Sequence, residues 1–202
     1  MKLCSMNAQH WPEVRAIFEA GISTGNATFV ARTPRGPSWN KAHLPHSRLV
    51  ALDASNRVLG WAALAAVCRR DAYRGVAEVS VYVAGPAQGQ GIGRALLAAL
   101  VSESEGHGIW TLQAILFPEN EPAYYLCRGA GFREVGRHER VGQLHGIWRD
   151  TLQLERRSQT VGTTNLALFP VSKPLVPPTD SAPLSPHNAR KTMGMVTFTH
   201  TG

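Results

Sequence analysis

Glu78 stands inside a β-rich run, Ala77-Glu78-Val79-Ser80-Val81-Tyr82-Val83, which soon breaks into Gln88-Gly89-Gln90-Gly91-Ile92-Gly93-Arg94 and then an apolar stretch from Ala95. Alternate glycines let a backbone approach a ligand with no Cβ in the way. A helix starting there leaves its first N–H groups unpaired, with the positive end of its dipole behind them, which suits a pyrophosphate. Strand alternation puts Glu78, Ser80 and Tyr82 on one face and Val79, Val81 and Val83 on the other. A charge inside a half-buried strand is costly without partners, and burial raises a carboxyl pKa toward the range a general base needs. Two roles fit Glu78: a proton acceptor, or a structural ion pair with a nearby arginine such as Arg74.

The residues directly after the glycine cluster narrow its possible roles. A P-loop requires Lys-Ser or Lys-Thr after its last glycine, and Arg94-Ala95 stand there instead. A dinucleotide fingerprint starting at Gly89 or Gly91 needs glycine at 94 or 96, which hold Arg94 and Leu96. A ligand-free β-to-α connection remains open. So does Gln-x-x-Gly-x-Gly, as Gln88, Gly91 and Gly93, which resembles the acetyl-CoA loop of the GNAT superfamily of N-acetyltransferases. Further on, Asn120-Glu121-Pro122-Ala123 and a short segment ending in Gly131-Phe132 resemble the second GNAT motif. Asp71-Ala72-Tyr73-Arg74-Gly75 leading into the Glu78 strand is similar to the phosphinothricin N-acetyltransferase branch, as are Ala27-Thr28-Phe29 and Trp148-Arg149-Asp150. The resemblance runs from residue 1 to about 158.

It implies an α+β (mixed α/β) fold of the GNAT acyl-CoA N-acyltransferase type, with a mixed, mostly antiparallel sheet flanked by helices. It implies acetyl-CoA as cosubstrate, no metal, and transfer of acetyl to the amine of a small amino-acid-like acceptor of the phosphinothricin or methionine sulfoximine kind. A protein N-terminus or polyamine acceptor, or a catalytically silent CoA-binding module, are the alternatives. By the same resemblance Glu78 is the base, and the backbone of Val81, Tyr82 and Val83 contacts the pantetheine and polarises the thioester carbonyl. Gly89, Gln90, Gly91, Ile92, Gly93 and Arg94 hold the pyrophosphate; the Arg94 side chain either adds charge or points to solvent. Asn120 contacts the cofactor or caps a helix before Pro122, and the two roles are compatible. Phe29, Asp71, Ala72, Tyr73, Glu78, Val79 and Ser80 form the acceptor pocket, with Tyr73 equally readable as a surface aromatic. A homodimer is also implied. One departure stands out: many family members place Tyr four residues before the Gly of Gly-Phe, as the acid for the leaving thiolate, and this chain has Cys127.

These groups need elements to hold them. Val14, Ile17 and Phe18 recur at helical spacing, which predicts a helix from about Trp11 to Gly21 after a short strand at 2–4. Residues 22–45 read as irregular, broken by Gly25, Pro34, Gly36 and Pro37. Residues 48–52 and 58–64 predict a hairpin, 76–84 a strand, then the glycine loop and a helix to about 105, and 110–116 a strand. A short helix comes next at 124–129, then strands at 132–136 and 147–154. All five Trp and four Tyr precede residue 150, whereas six prolines lie beyond Thr163, so the domain is expected at 1–158 and a disordered tail at 159–202.

At 202 residues the chain has room for one domain. Its net charge is +7; the last forty residues carry a net +2 of this, leaving +5 on the domain with no basic cluster. That favours an anionic cofactor over nucleic acid. Three scattered cysteines suggest neither a disulfide framework nor a zinc site. No run approaches the ~18 apolar residues of a membrane span, and Asn7-Ala8-Gln9-His10 interrupts any leader-like start. A cytoplasmic setting without membrane partners is the expectation.

Overall fold

Strand alternation in this chain serves two cores, one on each side of a seven-stranded sheet of order β1-β2-β3-β4-β5-β7-β6. The computed structural model describes residues 1–162; apart from residues 159–162, the expected tail lies outside them. The strands are β1 Lys2–Ser5, β2 Arg48–Leu52, β3 Val58–Ala66, β4 Val76–Val83, β5 Thr111–Leu116, β6 Arg133–Leu144 and β7 Ile147–Arg157. The helices are α1 Trp11–Ser23, α2 Gly36–Ala42, α3 Ile92–Gly106 and α4 Glu121–Gly129. All pairings are antiparallel except β4 with β5.

Leu49, Ala51, Ala62 and Leu64 point to one face, where Leu96, Leu97, Leu100 and Leu154 close the larger core. Their neighbours Val50, Leu52, Trp61 and Ala63 point the other way, onto Val14, Ile17 and Phe18 of α1 and Trp39 of α2. The β4 pattern obeys the same rule: Val79, Val81 and Val83 pack on the α3 side and Tyr82 on the α1 side. Glu78 and Ser80 therefore share the α1 face with Tyr82.

The sequence reading of 22–45 as irregular is corrected by α2. Pro37 sits in its first turn, where the missing N–H costs nothing. Trp39 then buries its ring against Trp61 at 5.7 Å and Trp11 at 5.3 Å, and that burial stabilises a helix of only seven residues. The other correction is β6, which continues beyond Gly136 to Leu144 through register shifts at Glu134/Gly136 and His138/Gly142. Bulges hide the two-residue period that marks a strand. Beyond β7, Thr160 and Val161 N–H groups donate to Ser158 Oγ and Gly162 lies on the Trp110 ring, so residues 159–162 still pack on the domain. No helix among the described residues is long and apolar enough to cross a membrane.

Candidate active site

The parallel pair is where the sheet opens. β4 and β5 share register only through Val76–Glu78 with Thr111–Gln113; beyond it β4 keeps only β3 and β5 keeps only β7. Ala84 N donates to Leu59 O, so Tyr82 and Ser80 also turn their peptide groups toward β3. Val81 and Val83, beyond the last rung at Glu78 and Gln113, turn theirs the other way, into the gap, where no strand faces them. Tyr82 thus differs from the expectation that its amide serves a ligand: β3 uses that amide. The Tyr82 side chain stacks on Trp61 at 4.7 Å and meets Phe18 edge-on at 5.0 Å. Gly21 of α1 makes room for it, since a Cβ there would stand 2.7 Å from the phenol ring. Burial pushes the Tyr82 phenol up to about 12; the Thr28 hydroxyl bonds to it and opposes that shift, while the nearby Glu78 charge adds to it. At neutral pH this phenol is un-ionised.

Beyond the splay the chain turns through Gly85–Ala87 and reaches α3. Gln88 Nε2 donates to Val83 O at 3.3 Å and Gln90 Nε2 to Pro86 O at 3.0 Å, bracing the loop from within. Gly89 and Gly91 have φ of +74° and +78°, a left-handed conformation that disfavours any side chain. Gly91 is the N-cap, and its carbonyl accepts the first helical bond, from Ala95 N. The N–H groups of Ile92, Gly93 and Arg94 consequently have no acceptor within the helix. Ile92 anchors the turn in the core, and Gly93 faces Val83 and Leu126. Arg94 is exposed in the first turn, and no ion pair involves it among the described residues. An open gap lined by Val81 and Val83 amides, leading to a cationic helix N-terminus, fits a long ligand with a terminal pyrophosphate.

Asn120 caps α4: its Oδ1 accepts from Ala123 N at 3.3 Å, and its Nδ2 donates to Asn26 O at 3.0 Å. Phe29 meets Phe117 edge-on at 4.7 Å, at the end of β5. Asp71, Ala72 and Tyr73 form an exposed turn at the opposite end of β4. Glu78 and Ser80, half-buried, lie between these two ends. Val79 departs from the acceptor group, because its side chain packs into the α3-side core and it follows directly on the last β4–β5 pair. Cys127 is buried in the same core, and burial pushes its thiol up to about 11. It is therefore protonated but shut away from the splay. Tyr124 hydroxyl lies 3.4 Å from Glu134 Oε2, and Tyr125 is exposed. Among the described residues no cluster of three or more His, Cys, Asp or Glu could hold a metal.

Sequence reasoning missed the neighbours that knit this region. Thr28 reaches Tyr82, Asn26 reaches Asn120, and Arg149 reaches Gly25 and Asn26 across more than a hundred residues of chain. The strings Ala27-Thr28-Phe29 and Trp148-Arg149-Asp150 stood out, but no periodicity links them.

The family model described as "Acetyltransferase (GNAT) family" matches residues 19–132. An L-methionine sulfoximine/L-methionine sulfone acetyltransferase of Pseudomonas aeruginosa is 32% identical over 146 residues, 69% of this chain and 84% of that protein. A phosphinothricin N-acetyltransferase of Alcaligenes faecalis is 33% identical over 162 residues, 76% of this chain and 80% of that protein. The crystal structure of a GNAT superfamily phosphinothricin acetyltransferase from Sinorhizobium meliloti, in complex with AcCoA, superposes with a TM-score of 0.73 at 27% identity. That alignment covers 81% of this chain and 91% of the other. With a split parallel pair, a glycine-capped helix beside it and these likenesses together, the chain belongs to the acetyltransferase (GNAT) family.

Proposed function

We propose that this protein transfers acetyl from acetyl-CoA to the amine of a small amino-acid-like acceptor, of the phosphinothricin or methionine sulfoximine type. The observation that carries the proposal is the gap between β4 and β5, with Glu78 at its closed end and the α3 N-terminus at its open end. Support for the acceptor class comes from the two curated relatives, and for the cosubstrate from the AcCoA complex of the Sinorhizobium protein.

The N–H groups of Ile92, Gly93 and Arg94 hold the pyrophosphate, aided by the Arg94 charge. Val81 and Val83 amides line the pantetheine arm and donate to the carbonyl oxygen as it gains charge, a fixed donor worth about 3–4 kcal/mol in the transition state. Bound acetyl-CoA would supply an acetyl group activated as a thioester: its carbonyl carbon bonds to the acceptor nitrogen as the C–S bond breaks, and the CoA sulfur leaves as a thiolate that takes up the second proton shed by that nitrogen. Glu78 accepts the ammonium proton, directly or through one water, so that a neutral amine is available. Phe29, Ser80 and Tyr73 line the acceptor side. Asn120 holds the α4 N-terminus beside the cofactor.

The protein acts in the cytoplasm as a homodimer. The edge hairpin β6–β7 exposes Val141, Ile147 and Trp148, a suitable contact for a second copy. A silent CoA-binding module is the second reading, favoured by the burial of Cys127 where an acid would stand. The deciding experiment measures CoA release with phosphinothricin, methionine sulfoximine, polyamines and an N-terminal peptide as acceptors. Fastest turnover with the first two is expected. Preference for polyamine or peptide overturns the acceptor class, and CoA binding without turnover on any amine leaves the silent module.

A further inference from the structure

Residues 24–30, just after α1, have no strand or helix of their own, yet residues 25–29 are half-buried and tied down from several directions. Gly25 O accepts from Arg149 Nη1 at 3.1 Å, and Asn26 Oδ1 accepts from Arg149 Nη2 at 3.4 Å. Asn26 O accepts from Asn120 Nδ2. Thr28 stands at the Tyr82 phenol on β4, Ala27 and the Tyr82 ring both lie against Gly21, and Phe29 packs on Phe117 and covers Gly142 of β6. One set of anchors belongs to β4 and the other to the ends of β5, α4, β6 and β7. Past Glu78 those two sides share no strand bonds. The segment therefore bridges the open end of the splay on the α1 face.

Arg149 makes the most connections. Besides its two bonds to the segment, its Nη2 donates to Glu119 Oε2 at 3.0 Å, and its guanidinium lies 4.2 Å over the Phe117 ring. A planar fork holds a carbonyl from one nitrogen and an amide oxygen and a carboxylate from another, whereas an ammonium has its three donors on a single nitrogen. An irregular segment has no ladder to hold its backbone, so losing such anchors releases its conformational entropy.

We propose that Arg149 is a positioning residue for acetyl transfer: by holding Gly25 and Asn26 it keeps the 24–30 segment drawn across the splay, and so sets where Thr28 and Phe29 stand relative to Glu78. The inference rests on the acceptor side proposed above. Arg149 touches neither the glycine loop nor the β4 amides, so it governs acceptor placement and leaves acetyl-CoA binding alone. Displacing a substrate by about 1 Å costs on the order of 10²-fold in rate.

The test compares wild type, Arg149→Met and Arg149→Lys in the full chain. Methionine keeps an unbranched stem over Phe117 and deletes every donor; lysine restores the charge and donors on a single nitrogen. Initial rates with methionine sulfoximine give KM for each substrate and kcat, and amide hydrogen exchange monitors residues 24–30. For Arg149→Met, a KM for the acceptor raised on the order of tenfold, a lowered kcat and an unchanged KM for acetyl-CoA are expected. Exchange should speed up at Gly25, Asn26 and Val30, whose N–H groups are hydrogen-bonded, and stay as in wild type in α1 and β4. Lysine should fall between, and it carries the test alone if the methionine variant does not fold. Wild-type acceptor KM and exchange in a folded variant overturn the proposal. So does a fall in activity that tracks the folded fraction, with both KM values unmoved. If wild type acetylates no amine, the function proposed above fails, and the exchange measurement still decides whether Arg149 holds the segment.

Discussion

Gly91 and Gly108 share a φ of +78°, and nothing lies within 4 Å of a Cβ built on either, yet only Gly91 caps the helix assigned to the pyrophosphate. That coincidence separates strain from binding. Replacing either with valine meets no neighbour, so the cost to the fold is conformational: at least ~1–2 kcal/mol for leaving glycine at a left-handed position. For a domain of this size that corresponds to a fall in Tm of about 2–8 °C in both variants. Ligand linkage then tells them apart. At a hundredfold excess over Kd, CoA stabilises the wild type by ~2.7 kcal/mol, a rise of about 5–11 °C. Gly108→Val should keep that whole increment above its lowered baseline. In Gly91→Val the branched side chain stands where the phosphates approach the Ile92, Gly93 and Arg94 N–H groups. A tenfold weaker Kd is ~1.4 kcal/mol and already halves the increment at the same CoA concentration. Thermal unfolding with a CoA titration, checked by calorimetric Kd, reads both quantities. A folded Gly91→Val protein with wild-type Kd would refute the assignment of the loop.

Glu78→Gln should lower kcat by roughly 10²–10⁴-fold with acetyl-CoA binding intact, and high pH should restore part of it because more amine is already neutral; near-normal turnover removes Glu78 from the chemistry. Truncation after Gly162 should leave Tm and turnover close to those of the full chain, since the remaining sequence has no apolar periodicity with which to pack; a truncated protein that does not fold would move the domain boundary. At pH 8 a thiol reagent should modify the half-exposed Cys4 and Cys68 well before Cys127, whose thiol ionises only near pH 11. Because that folded value lies above the ordinary one, the fold keeps the full benefit of the neutral thiol below pH ~9 and loses it as pH rises toward 11. Equal labelling rates would show that the α4 core opens readily.

Local pattern was enough to read much of this protein. The spacing of Val14, Ile17 and Phe18 marked α1, and the alternation in β4 placed Glu78, Ser80 and Tyr82 on one face. The glycines at 89 and 91 marked the start of α3, because a left-handed turn before a helix constrains residue type directly. Where the signal was not local, it could not be read. Helix α2 depends on Trp39 finding Trp61, and β6 continues through bulges that break its period. The parting of β4 from β5 was implied by likeness and by nothing in the spacing of either strand, since each keeps its strand pattern and only the pairing ends. That pairing also decided which amides face the gap, excluding Tyr82 and admitting Val81 and Val83. The ties from Arg149 to Gly25 and from Tyr82 to Thr28 obey the same logic. A side chain's type and its local period are written in the sequence, whereas a partner a hundred residues away is chosen only when the sheet and its two cores have brought both ends together.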